Sequence, residues 1–268
     1  MTSADRTRSR TTSFTDSAVL TGRILRHWRR RPVSLVLGLL FPVLMVLMFG
    51  YLFGGAMAVP DGDYLDFLIP GMLAMTMLFG LEAMVLAVTT DAARGVTERI
   101  RAMPVGTPSV LAGRSAADML NALVGLAAMI ATGLLVGWRP EQGLGRTLAA
   151  IGLLLWLRLS FTWVGISLGL LLKTPESAVA VQVLVWPVGF LSSAFVSPDT
   201  MPGWLGAIAS WNPLSATATA IRDLFGNPTW NDQAWAAQHA ILLAMAWPAA
   251  LTAFFLPLAV GRYRALAN

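Results

Sequence analysis

"TMPGWLGAIASWNPLSATATAI", Thr200 to Ile221, is a run of 22 uncharged residues between Asp199 and Arg222. By length alone it suffices to cross a bilayer, which takes about 20 mostly apolar residues in a helix. Its reading decides between seven spans and six. Ten of the 22 residues are Gly, Pro, Ser, Thr or Asn. That composition suits a lipid-facing helix poorly, and Pro202 and Pro213 break it. Residues 200–222 are therefore expected to form an external re-entrant or interfacial hairpin ahead of the last span. Irregular backbone is tolerated at membrane depth only where protein or water covers it.

The rest of the chain supports a membrane setting. Of 268 residues, 56% are hydrophobic and 12% charged, against about 25% charged in soluble domains. Mean hydropathy is +0.66. The absence of cysteine excludes disulfides, zinc–thiolate sites and catalytic thiols. Two histidines, His27 and His239, leave little for a histidine metal site. Runs between charges place spans at about 34–53, 67–90, 118–138, 147–172, 177–196 and 239–260.

The charge distribution agrees with six spans. With both termini on one side, that side holds the eight arginines before the first span. It also holds Arg94, Arg99, Arg101, Arg114, Lys173, Arg262 and Arg264. The other side holds Arg139, Arg146 and Arg222, a bias of fifteen to three. Positive charge concentrates on cytoplasmic faces, so both termini are expected in the cytoplasm. The net charge of +5 is read as this bias rather than as a nucleic-acid surface. The expected fold is an all-α integral membrane protein with a six-span domain over 32–262. Residues 1–13 read as a disordered cytoplasmic tail and 263–268 as a second tail. No cleaved signal is expected. Over 14–31, Phe14, Ala18, Leu20, Ile24, Leu25 and Trp28 share one helical face, with Arg23, Arg26 and Arg30 opposite. That pattern fits an amphipathic helix on the membrane surface, or a soluble packing helix.

Between the second and third spans lies "RGVTERIRAMPV", Arg94 to Val105. A short helix over 92–103 must stop before Pro104. Val96, Ile100 and Met103 share its apolar face, while Glu98, Arg99 and Arg101 point elsewhere. Such a helix can dock in a groove of a cytoplasmic partner or rest on lipid headgroups. The wider stretch "DAARGVTERIRAMPVGTPSVLAGRSAADML", Asp91 to Leu120, resembles the loop of ABC-2 type permeases, the membrane subunits of ATP-driven exporters. The likeness is to the daunorubicin-resistance type of drug-efflux permease. It rests on Gly95, Glu98, Arg99, Arg101, Met103, Pro104, Gly113 and Arg114. "YLDFLIPGMLAMTMLFG" (Tyr64 to Gly80), with Pro70-Gly71, and "WNPLSATATAIRDLFG" (Trp211 to Gly226), with Asn212-Pro213 and Arg222, are also similar to that family. Met103 departs from its commoner leucine.

The resemblance implies half of a transmembrane pore, paired with a second copy or a close relative in a bacterial plasma membrane. Two copies of a separate ATPase would carry ATP and Mg, and this chain would hold no cofactor. Arg94, Gly95, Val96, Glu98, Arg99, Ile100, Arg101, Met103 and Pro104 would form the helix coupled to that ATPase. The residues independently require an outside energy source. A P-loop needs a Gly-rich turn ending in Gly-Lys-Ser/Thr, and the only lysine, Lys173, lies in "GLLLKT".

Two charges fall inside spans. Glu82 lies about 13 Å before Asp91 and Arg158 about 22 Å before Lys173 along their helices. Buried charges need partners, and these two are expected to pair. Met72, Met75 and Phe79 recur at helical spacing on the second span. Gln182, Trp186 and Phe190 form a stripe on the fifth. These six are candidates for a substrate path, since methionine and aromatic surfaces adapt to varied lipophilic ligands, or for ordinary packing. "GISLG", Gly165 to Gly169, matches a G-x-S-x-G nucleophile elbow but lies within a span, so it reads as a G-x-x-x-G packing face. Gly50–Gly54 and Gly133–Gly137 repeat the spacing. The leading function is export of amphipathic drugs or natural products. Export of a lipid-linked glycan or polymer, and a stand-alone proton-coupled transporter using Glu82 and Arg158, are the alternatives.

Overall fold

The computed structural model describes residues 32–53, 63–96, 107–172, 174–230 and 234–265. No strand occurs among them. Helix α1 (Pro32–Met48) runs into a π-helical turn, Phe49–Phe53. Then come α2 (Tyr64–Ala93), α3 (Thr107–Leu135), α4 (Gly143–Leu172) and α5 (Pro175–Phe190). The short helices α6 (Gly203–Ser210), α7 (Pro213–Phe225) and α8 (Trp235–Gln238) precede α9 (Ala240–Ala265). Helices α2, α3, α4 and α9 are long and apolar enough to cross a membrane. Helix α5 has 16 residues, about 24 Å at the α-helical rise, short of the roughly 30 Å hydrocarbon core. The expected tail at 1–13, the interfacial helix at 14–31 and Lys173 lie outside the described residues.

Helices α2 and α4 form the centre. Leu68, Leu73, Ala74 and Val85 of α2 and Leu154 and Leu157 of α4 are fully buried in one core. Both helices are apolar around their whole circumference because neighbours cover them on several sides. Their contact uses the G-x-x-x-G face. A Cβ on Gly165 would overlap the Leu81 carbonyl and Met84, and one on Gly169 would overlap Val88. Gly165→Leu is expected to lower the thermal midpoint of the solubilised protein by overpacking, a cost of about 1–3 kcal/mol. Gly152→Leu, where a Cβ meets nothing within 4 Å, is the matched control and should leave the midpoint unchanged. The repeat at Gly133 and Gly137 has another use: Gly133 lies against Trp138 and Ile69, and Gly137 is in the turn that follows α3.

The segment at 200–222 is a helix–break–helix unit, as its composition requires. Pro202 precedes α6 and Asn212-Pro213 makes the break. Asn212 caps α7 by accepting from Leu214 N at 2.9 Å, and Pro213 occupies the first turn, where no N–H is needed. Gly226 ends α7 at φ +77°, a left-handed position that glycine adopts without penalty.

Several expected boundaries move. The third span was expected from residue 118, but α3 begins at Thr107, so Asp118 lies three turns inside it. A boundary drawn at the first charge fails because Arg114 and Asp118 are both paired (below). The Thr107-Pro108 start is the better signal. The helix expected over 92–103 does not begin at Ala92. Ala92 and Ala93 end α2, Arg94 is its C-cap, and Gly95 turns the chain at φ +64°. Val96 is helical again, and Glu98, Arg99, Ile100, Arg101, Met103 and Pro104 lie outside the described residues. The fifth helix ends at Phe190 rather than 196, and the last continues to Ala265. The expected tail at 263–268 therefore begins as helix, with Tyr263 buried.

Candidate functional site

A cavity of about 600 Å³ opens between α1, α2, α3, α4 and α5. Helix α2 supplies Thr76, Met77, Phe79, Gly80, Glu82, Ala83 and Leu86. These recur at three- and four-residue spacing, one face of a helix. Phe41 and Pro42 come from α1, Asn121, Ala122, Gly125 and Met129 from α3, Arg158 from α4, and Gln182 and Trp186 from α5.

Its aromatic wall is continuous. Phe79 lies 5.2 Å from Trp186 between ring centroids, and Phe41 lies 5.9 Å from Phe79 and 5.7 Å from Trp186, both edge-on. Phe190 stacks on Trp186 at 5.8 Å and extends the row outward. Of the six candidate path residues, Phe79, Gln182 and Trp186 line the cavity and Phe190 backs it. Met72 and Met75 do not reach it and are 2% and 1% exposed. The α2 stripe is continuous but the cavity is not. A Cβ on Gly189 would overlap Met75, so α5 closes directly over α2 there. Phe41, Asn121 and Met129 were not singled out from sequence. Each belongs to the wall only because its helix faces α2.

Glu82 and Arg158 line the same cavity but do not pair. Arg158 reaches across to α3, where Nε and Nη2 donate to Asp118 at 2.8 and 2.5 Å. The Thr162 hydroxyl adds a third donor to that carboxylate at 2.6 Å. Asp118 and Arg158 side chains are 8% and 5% exposed. The fork of a guanidinium matches a carboxylate in two bonds. It fits here because Gly80 has no side chain: a Cβ would overlap the Arg158 guanidinium. Glu82 takes the neutral Gln182 amide as its partner. Four residues before Asp118, Arg114 pairs with Asp91 at the end of α2. Two ion pairs on one face of α3 thus tie it to α2 and to α4.

A second buried cation ties α7 to α2 and to the segment after α5. Arg222 was counted as a loop charge, yet it is fully buried. It donates to the carbonyls of Phe67, Ser193 and Ala194 and lies over the Phe67 ring at 3.6 Å. Gly71 makes the approach possible, since a Cβ there would overlap the Ala194 carbonyl. Asn212 donates from Nδ2 to the carbonyls of Val188 and Leu191 at 2.8 and 2.7 Å. It satisfies acceptors that the end of α5 leaves free. Pro70-Gly71, Asn212-Pro213 and Arg222, far apart in sequence, therefore meet at one junction.

Residues 17–225 match the family described as ABC-2 type transporter. The chain is 34% identical over 253 residues to a protein of Streptomyces coeruleorubidus named daunorubicin resistance ABC transporter permease protein, covering 92% of this chain and 86% of that relative. It is 24% identical over 258 residues to a probable doxorubicin resistance ABC transporter permease protein of Mycobacterium tuberculosis, covering 91% and 87%. A putative transport permease of Cyanophora paradoxa is 30% identical over 219 residues, 79% of this chain and 74% of the relative.

Proposed function

The chain belongs to the ABC-2 type transporter family, and from that premise we propose that it is the permease subunit of an exporter that moves amphipathic drugs or natural products out of the cell. The observation that carries this reading is likeness over nearly the whole chain to a permease named for daunorubicin resistance. The aromatic cavity fits it: about 600 Å³ falls in the range that encloses drug-sized ligands.

In this reading the chain has six spans and both termini in the cytoplasm of a bacterium, the short α5 crossing together with the bends and turns that follow it. Two permease chains, identical or closely related, and two copies of a cytoplasmic ATPase make the exporter. The loop from Arg94 to Pro104 seats in the ATPase, which binds ATP and Mg. Closure of the ATPases moves this loop, and the cavity alternates between inward and outward access. Asp91 and Arg114 flank the loop and are paired, so α2 and α3 move with it as one body. Asp118, a turn further along α3, holds Arg158 on the cavity wall. The displacement thereby reaches the site through two ion pairs.

The test is co-purification with the ATPase encoded beside the gene. Wild type is expected to purify as a complex. A Glu98→Ala, Arg99→Ala, Arg101→Ala variant is expected to insert normally and lose the ATPase. Wild type purifying alone, yet moving substrate in vesicles without any ATPase, would refute the reading.

A further inference from the structure

We propose that α9 is a second transmission element of the exporter and that Tyr263 is its positioning residue: Tyr263 clamps the end of α9 to the helix ends that flank the Arg94-to-Pro104 loop, and the helix carries their displacement to α7 and α8 at its other end. The proposal rests on the exporter reading and adds a route to it.

The packing at the loop end is the first argument. A small apolar core, separate from the main one, forms there. Met84 and Val88 of α2, Leu111 of α3 and Leu170 of α4 pack in it with Ala259 and Tyr263 of α9. Ala259 and Tyr263, with Phe255 a turn earlier, recur at four-residue spacing on one helical face. Tyr263 also comes within electrostatic reach of Arg114, which pairs with Asp91 across the loop. The second argument is the other end of α9. There Ala240 and Ala244 pack with Ala220 of α7, and Leu243 packs with Ala216 of α7 and Ala236 of α8. Alanine at these contacts lets the helix backbones approach closely. Tyr263 follows Ala244 by nineteen residues, about 28 Å along the axis. One helix thus joins the loop end to α7 and α8. The third argument is continuity. Helix α9 runs unbroken across Pro248 and Pro257, although each proline removes a backbone hydrogen bond. Helix α4 braces it near both. Trp156 Nε1 donates to the Met245 carbonyl at 3.2 Å, and the Ser167 hydroxyl donates to the Phe255 carbonyl at 3.0 Å. A helix packed at both ends and braced between them moves as one body.

The test uses the permease–ATPase complex in nanodiscs and, for transport, inverted vesicles with daunorubicin as the probe. The chain has no cysteine, so Trp235→Cys, at an exposed position of α8, gives the permease a single thiol. Its maleimide labelling rate reports on the far end of α9. In otherwise wild-type protein, trapping with ATP and vanadate is expected to change that rate. Tyr263→Ala should keep the ATPase bound and hydrolysing, lose the change in labelling, and lower the daunorubicin moved per ATP by about fivefold, the size of coupling lost along such a path. Tyr263→Phe, which keeps the ring, should behave as wild type. A Tyr263 that only stabilises the fold would lower hydrolysis and transport together and leave their ratio unchanged. That result would overturn the proposal, as would labelling that ignores trapping in the wild-type background, or Tyr263→Ala retaining the wild-type change. A second variant, Phe254→Gly with Leu256→Gly, softens α9 between its packed ends at exposed positions and should uncouple in the same way. It decides alone if Tyr263→Ala fails to assemble, and wild-type coupling in it then overturns the proposal. In all these cases ATP-driven uptake by wild type leaves the exporter reading standing. Wild type that neither retains an ATPase nor takes up the probe with ATP counts against that reading, and the proposal falls with it.

Discussion

Arg222→Ala is expected to yield little or no monodisperse protein after extraction from the membrane, while Arg139→Ala, at an exposed loop position, yields wild-type amounts. The Arg222 side chain is 0% exposed. Its Nη1 donates to the Ser193 carbonyl at 2.9 Å and its Nη2 to the Ala194 carbonyl at 2.8 Å. Nε and Nη2 both reach the Phe67 carbonyl, at 3.2 and 3.1 Å. One side chain thus joins α2, the segment after α5, and α7. Truncation strips the Ala194 carbonyl of its donor, about 1–3 kcal/mol, and opens a cavity, about 2–5 kcal/mol for a large buried side chain. Together these approach the whole stability of an ordinary domain, about 5–15 kcal/mol. Arg222→Lys is expected to rescue little, because one ammonium cannot reach three separated carbonyls as a planar fork does. Size-exclusion profiles and thermal midpoints of the three variants check this. A monodisperse Arg222→Ala protein with the wild-type midpoint would refute the anchor.

The second large effect is expected at Asp118. Asp118→Leu leaves the Arg158 guanidinium buried without a counter-charge, and breaking such a pair typically costs about 3–5 kcal/mol. Arg158→Met leaves Asp118, among the described residues, with the Thr162 hydroxyl as its hydrogen-bond donor. Both single variants should assemble poorly. Combining them should recover stability, since apolar residues of similar volume replace a buried ion pair at little cost. Transport should stay impaired in the double variant because Arg158 lines the cavity. A thermodynamic cycle between Glu82→Gln and Arg158→Met should instead show additive stability losses, as expected for groups without a shared partner. Strong coupling in that cycle would mean that Glu82, and not Asp118, neutralises Arg158.

How far the site was legible can be argued residue by residue. Phe79, Gln182, Trp186, Glu82 and Arg158 were singled out from spacing and charge, and all five line one cavity. Helical periodicity says which residues share a face, and a charge inside an apolar run is conspicuous. Neither says which face meets which neighbour. Met72 and Met75 share the stripe of Phe79 but are buried, Met75 under Gly189, a contact between helices more than a hundred residues apart. Asp118 escaped notice because it bounded an apolar run, where a carboxylate is ordinary. Its importance comes from Arg158, forty residues away. Arg222 was named in the family-like stretch and counted as a loop charge, but its burial was not foreseen, since a basic residue at the end of a polar segment reads as a loop charge until its three carbonyl acceptors are in view.

From its sequence alone the chain was determined to be a helical membrane protein without cysteine chemistry or a phosphate-binding loop of its own, with its helices broken within 200–222. These properties are local. They follow from the lengths of apolar runs, from prolines that cannot donate, and from the presence or absence of residue types. The tertiary structure alone decided the charge pairing, the closure of α5 over Met75, and the anchoring of α7 by Arg222. Each of these is a choice among partners distant in the chain. That choice is governed by where small residues such as Gly71, Gly80 and Gly165 let helices approach, which no single helix specifies by itself.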